Sequence, residues 1–162
     1  MPLEAERKFL LCPQDVSRFV PPSADRVEIE QAYIVSAPEG VLRVRRKRGS
    51  GKDAFLLTCK GPKAGGSAEE IEFPISRSRY AMLSATLTGR LIRKTRFTLA
   101  LNGHGVEIDV FQGALYPLCM AEIEGPDCGS FVPPPWFGRE VTGDPRYDNG
   151  ALALSDDLPP LF

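Results

Sequence analysis

Charged residues recur at every second position along several segments of this chain, and this spacing constrains the possible folds more than any other feature. The acidic pairs are Glu4/Glu6, Glu70/Glu72, Glu107/Asp109 and Glu122/Glu124. Successive side chains of a β-strand point to opposite faces, so both members of each pair share one face. Apolar residues such as Ile108 and Ile123 occupy the other face. The spacing therefore predicts strands with one charged face and one apolar face.

Basic residues follow the same spacing on other segments. They are Lys8, Arg43, Arg45, Lys60, Lys94 and Arg96. If the apolar faces pack outward against helices and loops, the charged faces line the interior of a barrel. Such an interior suits a polyanion with divalent cations, because hard cations prefer oxygen ligands and phosphate accepts hydrogen bonds from Arg and Lys.

The solvated face of a half-exposed antiparallel sheet also produces alternating charges, and this alternative accounts for any single pair. The conjunction favours the charged interior, because four acidic pairs occur together with in-phase basic residues in one chain.

Turn-forming residues divide the chain into about eight extended segments and a few short helices. The predicted strands cover residues 3–9, 26–37, 41–48, 54–60, 69–75, 91–101, 106–111 and 118–125, and the predicted helices cover 13–19, 76–84 and 151–154. Closure of the sheet would remove its exposed edges. We therefore predict a mainly β (α+β) fold, an eight-stranded antiparallel closed β-barrel with a few short flanking helices.

Composition narrows the remaining possibilities. The chain has 162 residues, 43% of them hydrophobic, and a net charge of -1 from 21 acidic and 20 basic residues. This length predicts a single domain over residues 1–162, and the balanced charge supplies no general attraction to nucleic acid or anionic membranes. The start lacks the pattern of a secretory signal, and no apolar run is long enough to span a membrane, so we expect a cytoplasmic protein.

The charged motifs resemble those of the CYTH family, also called triphosphate tunnel metalloenzymes. The matching motifs are Glu4-x-Glu6-x-Lys8, Arg43-x-Arg45, Lys60-Gly61-Pro62, Glu70-x-Glu72, Lys94-Thr95-Arg96, Glu107-Ile108-Asp109-Val110-Phe111, Ala121-Glu122-Ile123-Glu124 and Gly138-Arg139-Glu140-Val141-Thr142. Tyr147-Asp148-Asn149 is similar to the family's tail. The resemblance runs in order from residue 3 to about residue 154, which makes it highly specific.

The resemblance implies an eight-stranded antiparallel tunnel in which a triphosphate is hydrolysed with Mg2+ or Mn2+. It assigns metal binding to Glu4, Glu6, Asp109, Glu122 and Glu124, and triphosphate binding to Lys8, Arg43, Arg45, Lys60, Lys94 and Arg96. Glu70 and Glu72 would complete the acidic floor, and Glu70 or Asp109 would orient the attacking water. Tyr33, within the Gln31-Ala32-Tyr33 match, would offer a hydroxyl to the site. The catalytic set is then Glu4, Glu6, Lys8, Tyr33, Glu70 and Asp109.

Several substrates and activities remain open at this point. Inorganic tripolyphosphate is the leading substrate, and thiamine triphosphate or a nucleoside triphosphate such as ATP are alternatives. The family also includes adenylate cyclases, which share the metal and phosphate residues. A non-catalytic module that binds polyphosphate or nucleotide is the alternative from another class. The sequence allows a homodimer and does not decide the oligomeric state.

Overall fold

The computed structural model describes residues 5–62 and 68–161 of the chain. The strands are β1 (Glu6–Leu10), β2 (Asp25–Ala37), β3 (Gly40–Arg48), β4 (Ala54–Lys60), β5 (Glu70–Pro74), β6 (Ile92–Leu101), β7 (His104–Phe111) and β8 (Cys119–Glu124). The α-helices are α1 (Pro13–Phe19), α2 (Arg77–Ser84) and α3 (Asn149–Leu154). Glu4, a predicted site residue, lies outside the described residues. None of the described helices is long and apolar enough to cross a membrane.

Capping and turn chemistry explain why several of these elements begin and end where they do. The Ser76 hydroxyl accepts a hydrogen bond from the Arg79 backbone N–H at 3.2 Å, which caps the start of α2. Asn102 and Gly103 have φ angles of 49° and 81°, and both conformations suit the tight hairpin between β6 and β7. Local residue chemistry therefore sets these boundaries before any tertiary packing.

The eight strands form one antiparallel sheet in the order β1-β8-β7-β6-β2-β3-β4-β5, which confirms the predicted architecture. The outer edge of β1 is covered by the C-terminal region, where Phe9 bridges to Glu140. Within the described part of the chain, no ladder joins β1 to β5 at the two ends of this order. The sheet is therefore a barrel-like tunnel that is not strictly closed by strand pairing.

The outer faces of the strands carry the main apolar cores. On one side, Ile108 of β7 and Ile123 of β8 are fully buried and pack with Val16 of α1 and Phe131. On another side, Tyr80 of α2 covers a second apolar cluster on the outer faces of β2 and β3. Since burial of apolar area is the main stabilising term in folding, these outward contacts free the inner faces for charge.

Apolar side chains fill one end of the interior. The tunnel-facing residues at that end are Leu10, Tyr33, Ile92, Phe111 and Met120, which pack with Tyr147, Leu152 and Ala153 from the C-terminal region. The Arg90 backbone N–H donates to the Ala153 carbonyl at 2.8 Å and ties α3 to the barrel. The charged half of the interior thus rests on an apolar base.

The substitution Gly89→Ala tests how tightly α3 packs against the barrel, and Gly103→Ala is the matched control. Both have positive φ, 76° and 81°, but a Cβ on Gly89 would lie 2.1 Å from the Ala153 carbonyl oxygen, while a Cβ on Gly103 would meet nothing within 4 Å. Gly103→Ala should cost about 1–2 kcal/mol of left-handed backbone strain. Gly89→Ala should cost a further 1–3 kcal/mol, roughly, from overpacking. Urea denaturation measures both, and equal losses would show that α3 is loosely held.

Candidate active site

Carboxylates from β1, β7 and β8 form what we call the acidic wall: Glu6, Glu107, Glu122 and Glu124. Strand register brings them together, since Glu107 lies opposite Glu122 and Glu6 lies opposite Glu124. Directly opposed residues of antiparallel strands share a face of the sheet. One carboxylate oxygen from each of Glu107, Glu122 and Glu124 lies within 4.8 Å of the others. Three converging carboxylates can hold a divalent cation.

The electrostatics of the acidic wall agree with a cation site. The pKa of Glu124 is raised above its ordinary value by burial, and the neighbouring carboxylates Glu107, Glu122 and Glu6 raise it further. A bound cation would relieve this repulsion, because an opposite charge favours the ionised carboxylate. The charge and spacing of these donors therefore fit a hard divalent metal ion.

Asp109 of β7 binds two cations on the inner face of β6, Lys94 and Arg96. Its carboxylate accepts a hydrogen bond from Lys94 Nζ at 2.5 Å and two from the Arg96 guanidinium at 2.7 Å each. Burial opposes ionisation of Asp109, but Lys94 and Arg96 hold its pKa well below the ordinary value. Both oxygens of Asp109 are engaged in this way, so its observed role is to fix Lys94 and Arg96.

Cations of β3 and β4 form what we call the basic wall: Arg43, Arg45, Lys47 and Lys60. β6 and β2 separate it from the acidic wall in the sheet. Lys60 Nζ lies 2.7 Å from Glu70, and the Arg43 guanidinium lies 3.8 Å from the same carboxylate. The buried Nε of Arg43 has no hydrogen-bond partner among the residues that the structure describes. The basic wall therefore retains unused capacity to donate to an anion.

Arg45 lies in the middle of the basic wall and is 7% exposed. Its Nε donates to the side-chain oxygen of Gln31 at 2.9 Å. Burial lowers the pKa of Arg45 to about 10, and the nearby cations Arg43 and Arg96 contribute to this decrease. An anion bound beside Arg45 would offset this crowding of positive charge.

Lys8 of β1 adds a cation to the acidic side of the tunnel. Its Nζ lies 2.9 Å from Asp148, 3.4 Å from Glu6 and 3.8 Å from Glu122. Burial opposes its charge, but Glu122, Asp148 and Glu6 together raise its pKa above the ordinary value. Lys8 therefore remains a cation beside the carboxylates of the acidic wall.

The structure brings most of the predicted residues into one charged tunnel. Glu6, Lys8, Arg43, Arg45, Lys60, Lys94, Arg96, Asp109, Glu122 and Glu124 all lie on the inner faces of their strands. Glu70 and Glu72 lie on β5, where Glu72 accepts a hydrogen bond from the Thr58 hydroxyl at 2.8 Å. Tyr33 is buried at the apolar end, and its hydroxyl lies 3.3 Å from the side-chain nitrogen of Gln31.

Other residues of the site were not assigned a role from the sequence. Glu107 was identified from the charge spacing as a tunnel carboxylate without a ligand role, and the structure shows that it completes the carboxylate group. Lys47 lies two residues after Arg45, on the same face of β3, and is half-buried. Burial lowers the pKa of Lys47, and the charge of Arg45 lowers it further. That spacing could have identified Lys47. Gln31 is uncharged, so the charge pattern carried no signal for it.

Comparisons with known proteins agree with this geometry. The model of the CYTH domain family matches residues 2–140. An inorganic triphosphatase of Nitrosomonas europaea is 38% identical over 156 residues, covering 94% of this chain and 97% of that protein. An inorganic triphosphatase of Acetivibrio thermocellus is 35% identical over 151 residues, covering 92% of each protein.

Solved structures share the fold. The crystal structure of the inorganic triphosphatase NE1496 has a TM-score of 0.69 and 36% sequence identity, covering 96% of this chain and 97% of that one. The PH1819 protein from Pyrococcus horikoshii has a TM-score of 0.54 at 23% identity, covering 82% of this chain and 80% of that one. The latter similarity concerns the fold alone.

The raised pKa of Glu124 predicts opposite effects of Glu124→Gln on the metal-free and metal-loaded protein. Because the pKa of Glu124 is raised in the folded state, the protein loses stability as the pH rises through that pKa, so at neutral pH burial and repulsion of the ionised carboxylate destabilise the wild type. In EDTA, the variant should therefore unfold at a higher temperature than the wild type. With Mn2+, its melting temperature should rise less, because one ligand is missing.

Glu39→Gln is the matched control, since Glu39 is an exposed carboxylate in the turn between β2 and β3. Thermal unfolding at several pH values measures both effects. A Glu124→Gln protein with wild-type stabilisation by Mn2+ would exclude Glu124 from the metal site.

Proposed function

Because the chain belongs to the CYTH domain family, we propose that it is a divalent-metal-dependent triphosphatase acting on inorganic tripolyphosphate. Water is added across the terminal phosphoanhydride bond, and the products are orthophosphate and pyrophosphate. The observation that carries this proposal is the presence of an acidic wall and a basic wall in one tunnel. Relatives named inorganic triphosphatase, with similar length and over a third identical residues, support the reaction class.

Glu107, Glu122 and Glu124 are our assignment for the core of the metal site, with Glu6 beside them. Mg2+ and Mn2+ both suit such an oxygen-rich site. The bound metal ion would neutralise charge on the phosphate oxygens during bond cleavage. In this assignment Asp109 contributes indirectly, since its two oxygens hold Lys94 and Arg96.

The cations of the tunnel are our assignment for binding the triphosphate. They are Lys8, Arg43, Arg45, Lys60, Lys94 and Arg96, with Lys47 as an addition from the basic wall. Arginine guanidinium groups match phosphate oxygens in shape and charge. Because several of these cations are held by carboxylates before substrate arrives, little reorganisation is needed when charge shifts to the leaving phosphate. Such preorganised charge is the main source of catalysis in phosphoryl transfer.

Glu70 is our assignment for a residue that orients the attacking water. Burial raises its pKa, but the hydrogen bond and charge of Lys60, together with Arg43, lower it overall, so the carboxylate stays ionised. An ionised carboxylate can accept a hydrogen bond from water and direct its oxygen toward phosphorus. Tyr33 has a smaller part in this assignment, because its hydroxyl lies near Gln31 at the apolar end.

The lining of the tunnel favours an inorganic substrate over a nucleotide. On the inner faces of the described strands, the aromatic side chains are Tyr33 and Phe111, and both pack in the apolar base. No described aromatic group on the charged inner faces is therefore placed to stack on a purine or on a thiamine ring. In a cyclase, the ribose hydroxyl of ATP attacks the phosphate, and this reaction needs the adenine base to be held in place.

The first test is phosphate release from tripolyphosphate, ATP and thiamine triphosphate, each with Mg2+, Mn2+ or EDTA. We expect release that depends on metal and is fastest for tripolyphosphate. Glu122→Gln should abolish turnover while tripolyphosphate still binds, because the cations of the tunnel remain. Binding by the wild type without release would favour a receptor module, and a cyclic product from ATP would favour a cyclase.

Arg45→Met should lower kcat/KM for tripolyphosphate by about 30- to 1,000-fold, or about 2–4 kcal/mol of transition-state stabilisation. The reason is that Arg45 is a buried cation of the basic wall. Arg93→Met is the matched control, since Arg93 lies next to Lys94 on β6 but on the exposed side. Steady-state kinetics measure both, and equal losses would show that general charge rather than position matters.

A further inference from the structure

Arg45 differs from the other buried cations of the tunnel in its partner. Lys8, Arg43 and Lys94 each have a carboxylate oxygen within 4 Å. Among the residues that the structure describes, Arg45 has no such carboxylate, and its Nε donates to the neutral amide of Gln31 at 2.9 Å. Gln31 is fully buried, and Arg45 is 7% exposed.

A buried charge without a counter-charge is unfavourable, since desolvation of an ion costs far more than desolvation of a neutral group. Gln31 satisfies one donor of the guanidinium but adds no negative charge. The charge of Glu72 raises the pKa of Arg45 and so compensates its positive charge in part, but burial and the cations Arg43 and Arg96 lower that pKa overall. A carboxylate at position 31 would satisfy the same donor and neutralise the charge, and this chain does not have one there.

The fold holds the Gln31 amide in one orientation. Gln31 lies opposite Arg45 in the β2–β3 ladder and opposite Ile92 in the β2–β6 ladder. Its oxygen accepts from Arg45, and its nitrogen donates to the Tyr33 hydroxyl at 3.3 Å. A flipped amide would set its N–H groups against the guanidinium donor, so the hydrogen bonds at both ends favour the observed orientation.

We propose that Gln31 is a positioning residue, which aims the Arg45 guanidinium into the tunnel through a neutral hydrogen bond and so reserves its charge for a phosphate group. This inference rests on the proposed function and adds a determinant of substrate affinity to it. The two terminal nitrogens of Arg45 are the groups left to bind phosphate oxygens, since Nε is occupied by Gln31.

Gln31→Glu separates positioning from charge, because it keeps the hydrogen-bond acceptor and adds the missing negative charge. We expect the variant to be more stable to heat than the wild type, since Arg45 gains a counter-ion. We also expect it to bind tripolyphosphate at least about tenfold more weakly, because a charge-assisted hydrogen bond to phosphate is weakened. A purely structural role for Gln31 predicts the gain in stability with unchanged binding.

Gln31→Met is the matched variant without an acceptor. It should lower the melting temperature, because the buried Nε of Arg45 loses its partner, and it should weaken binding as Arg45 loses its orientation. Isothermal titration with tripolyphosphate in EDTA measures binding in each variant without turnover. A wild-type protein that binds tripolyphosphate but does not hydrolyse it would overturn the proposed function. The inference about Gln31 would then still be decided by the binding measured for its variants.

A double-mutant cycle with Arg45→Met shows whether Gln31 acts through Arg45. In the Arg45→Met background, the neutral variant Gln31→Met should change tripolyphosphate binding by less than about twofold, because the group that Gln31 orients is gone. An undiminished loss in that background would overturn the inference, as would unchanged binding or a lower melting temperature for Gln31→Glu alone. The stability measurement needs no ligand, so it tests the incomplete compensation of the Arg45 charge even if tripolyphosphate does not bind.

Discussion

The charged interior of this protein depends on the buried ion pairs around Asp109. Lys94 has no exposed side-chain surface, and it could not remain there as a cation without the carboxylate at 2.5 Å. Arg96 shares the same carboxylate through two hydrogen bonds and also forms an ion pair with Glu107. Asp109 thus connects the two cations of β6 to β7, which carries part of the acidic wall. Loss of this one carboxylate would leave the buried Lys94 without its ion-pair partner, and Arg96 would keep only Glu107 and Glu122.

The apolar faces of the same strands make this arrangement possible. In an ordinary barrel the interior is the hydrophobic core, but here Ile108 and Ile123 point outward and are buried under α1 and the C-terminal region. The stabilising burial therefore occurs outside the tunnel, and the apolar base seals one end of it. This inversion leaves the inner faces free to carry groups chosen for binding rather than for packing.

In the part of the chain that the structure describes, some cations of the tunnel are paired with carboxylates in the free protein, and others are not. Lys94 and Arg96 are held by carboxylates in the free protein. Arg45 is held by a neutral amide, and the Nε of Arg43 has no partner among the described residues. The acidic wall has the converse imbalance, as the raised pKa of Glu124 indicates. A metal ion and a polyanion bound together would correct both imbalances.

Much of the fold could be predicted because a period of two is a strong local signal. Strand β4 and helix α1 have the predicted bounds, and Ser76 caps α2 as its sequence suggests. The predicted barrel was confirmed in strand number and direction, but pairing between β1 and β5 was not, since closure depends on long-range geometry. Helix α3 begins at Asn149, two residues before the predicted start, because packing stabilises a first turn at Asn149 and Gly150, which have little helix propensity of their own.

The sequence by itself determined which residues share a face of each strand, because side-chain direction alternates along any strand. It therefore identified nearly all the charged groups of the tunnel. Only the tertiary structure decided which of them meet, because register depends on pairing between strands distant in the chain. Register sets Asp109 opposite Arg96 and Glu107 opposite Glu122, so Asp109 holds cations while Glu107 joins the carboxylate group. Register also sets Gln31 beside Arg45, a contact between a neutral and a charged residue that no charge pattern could reveal.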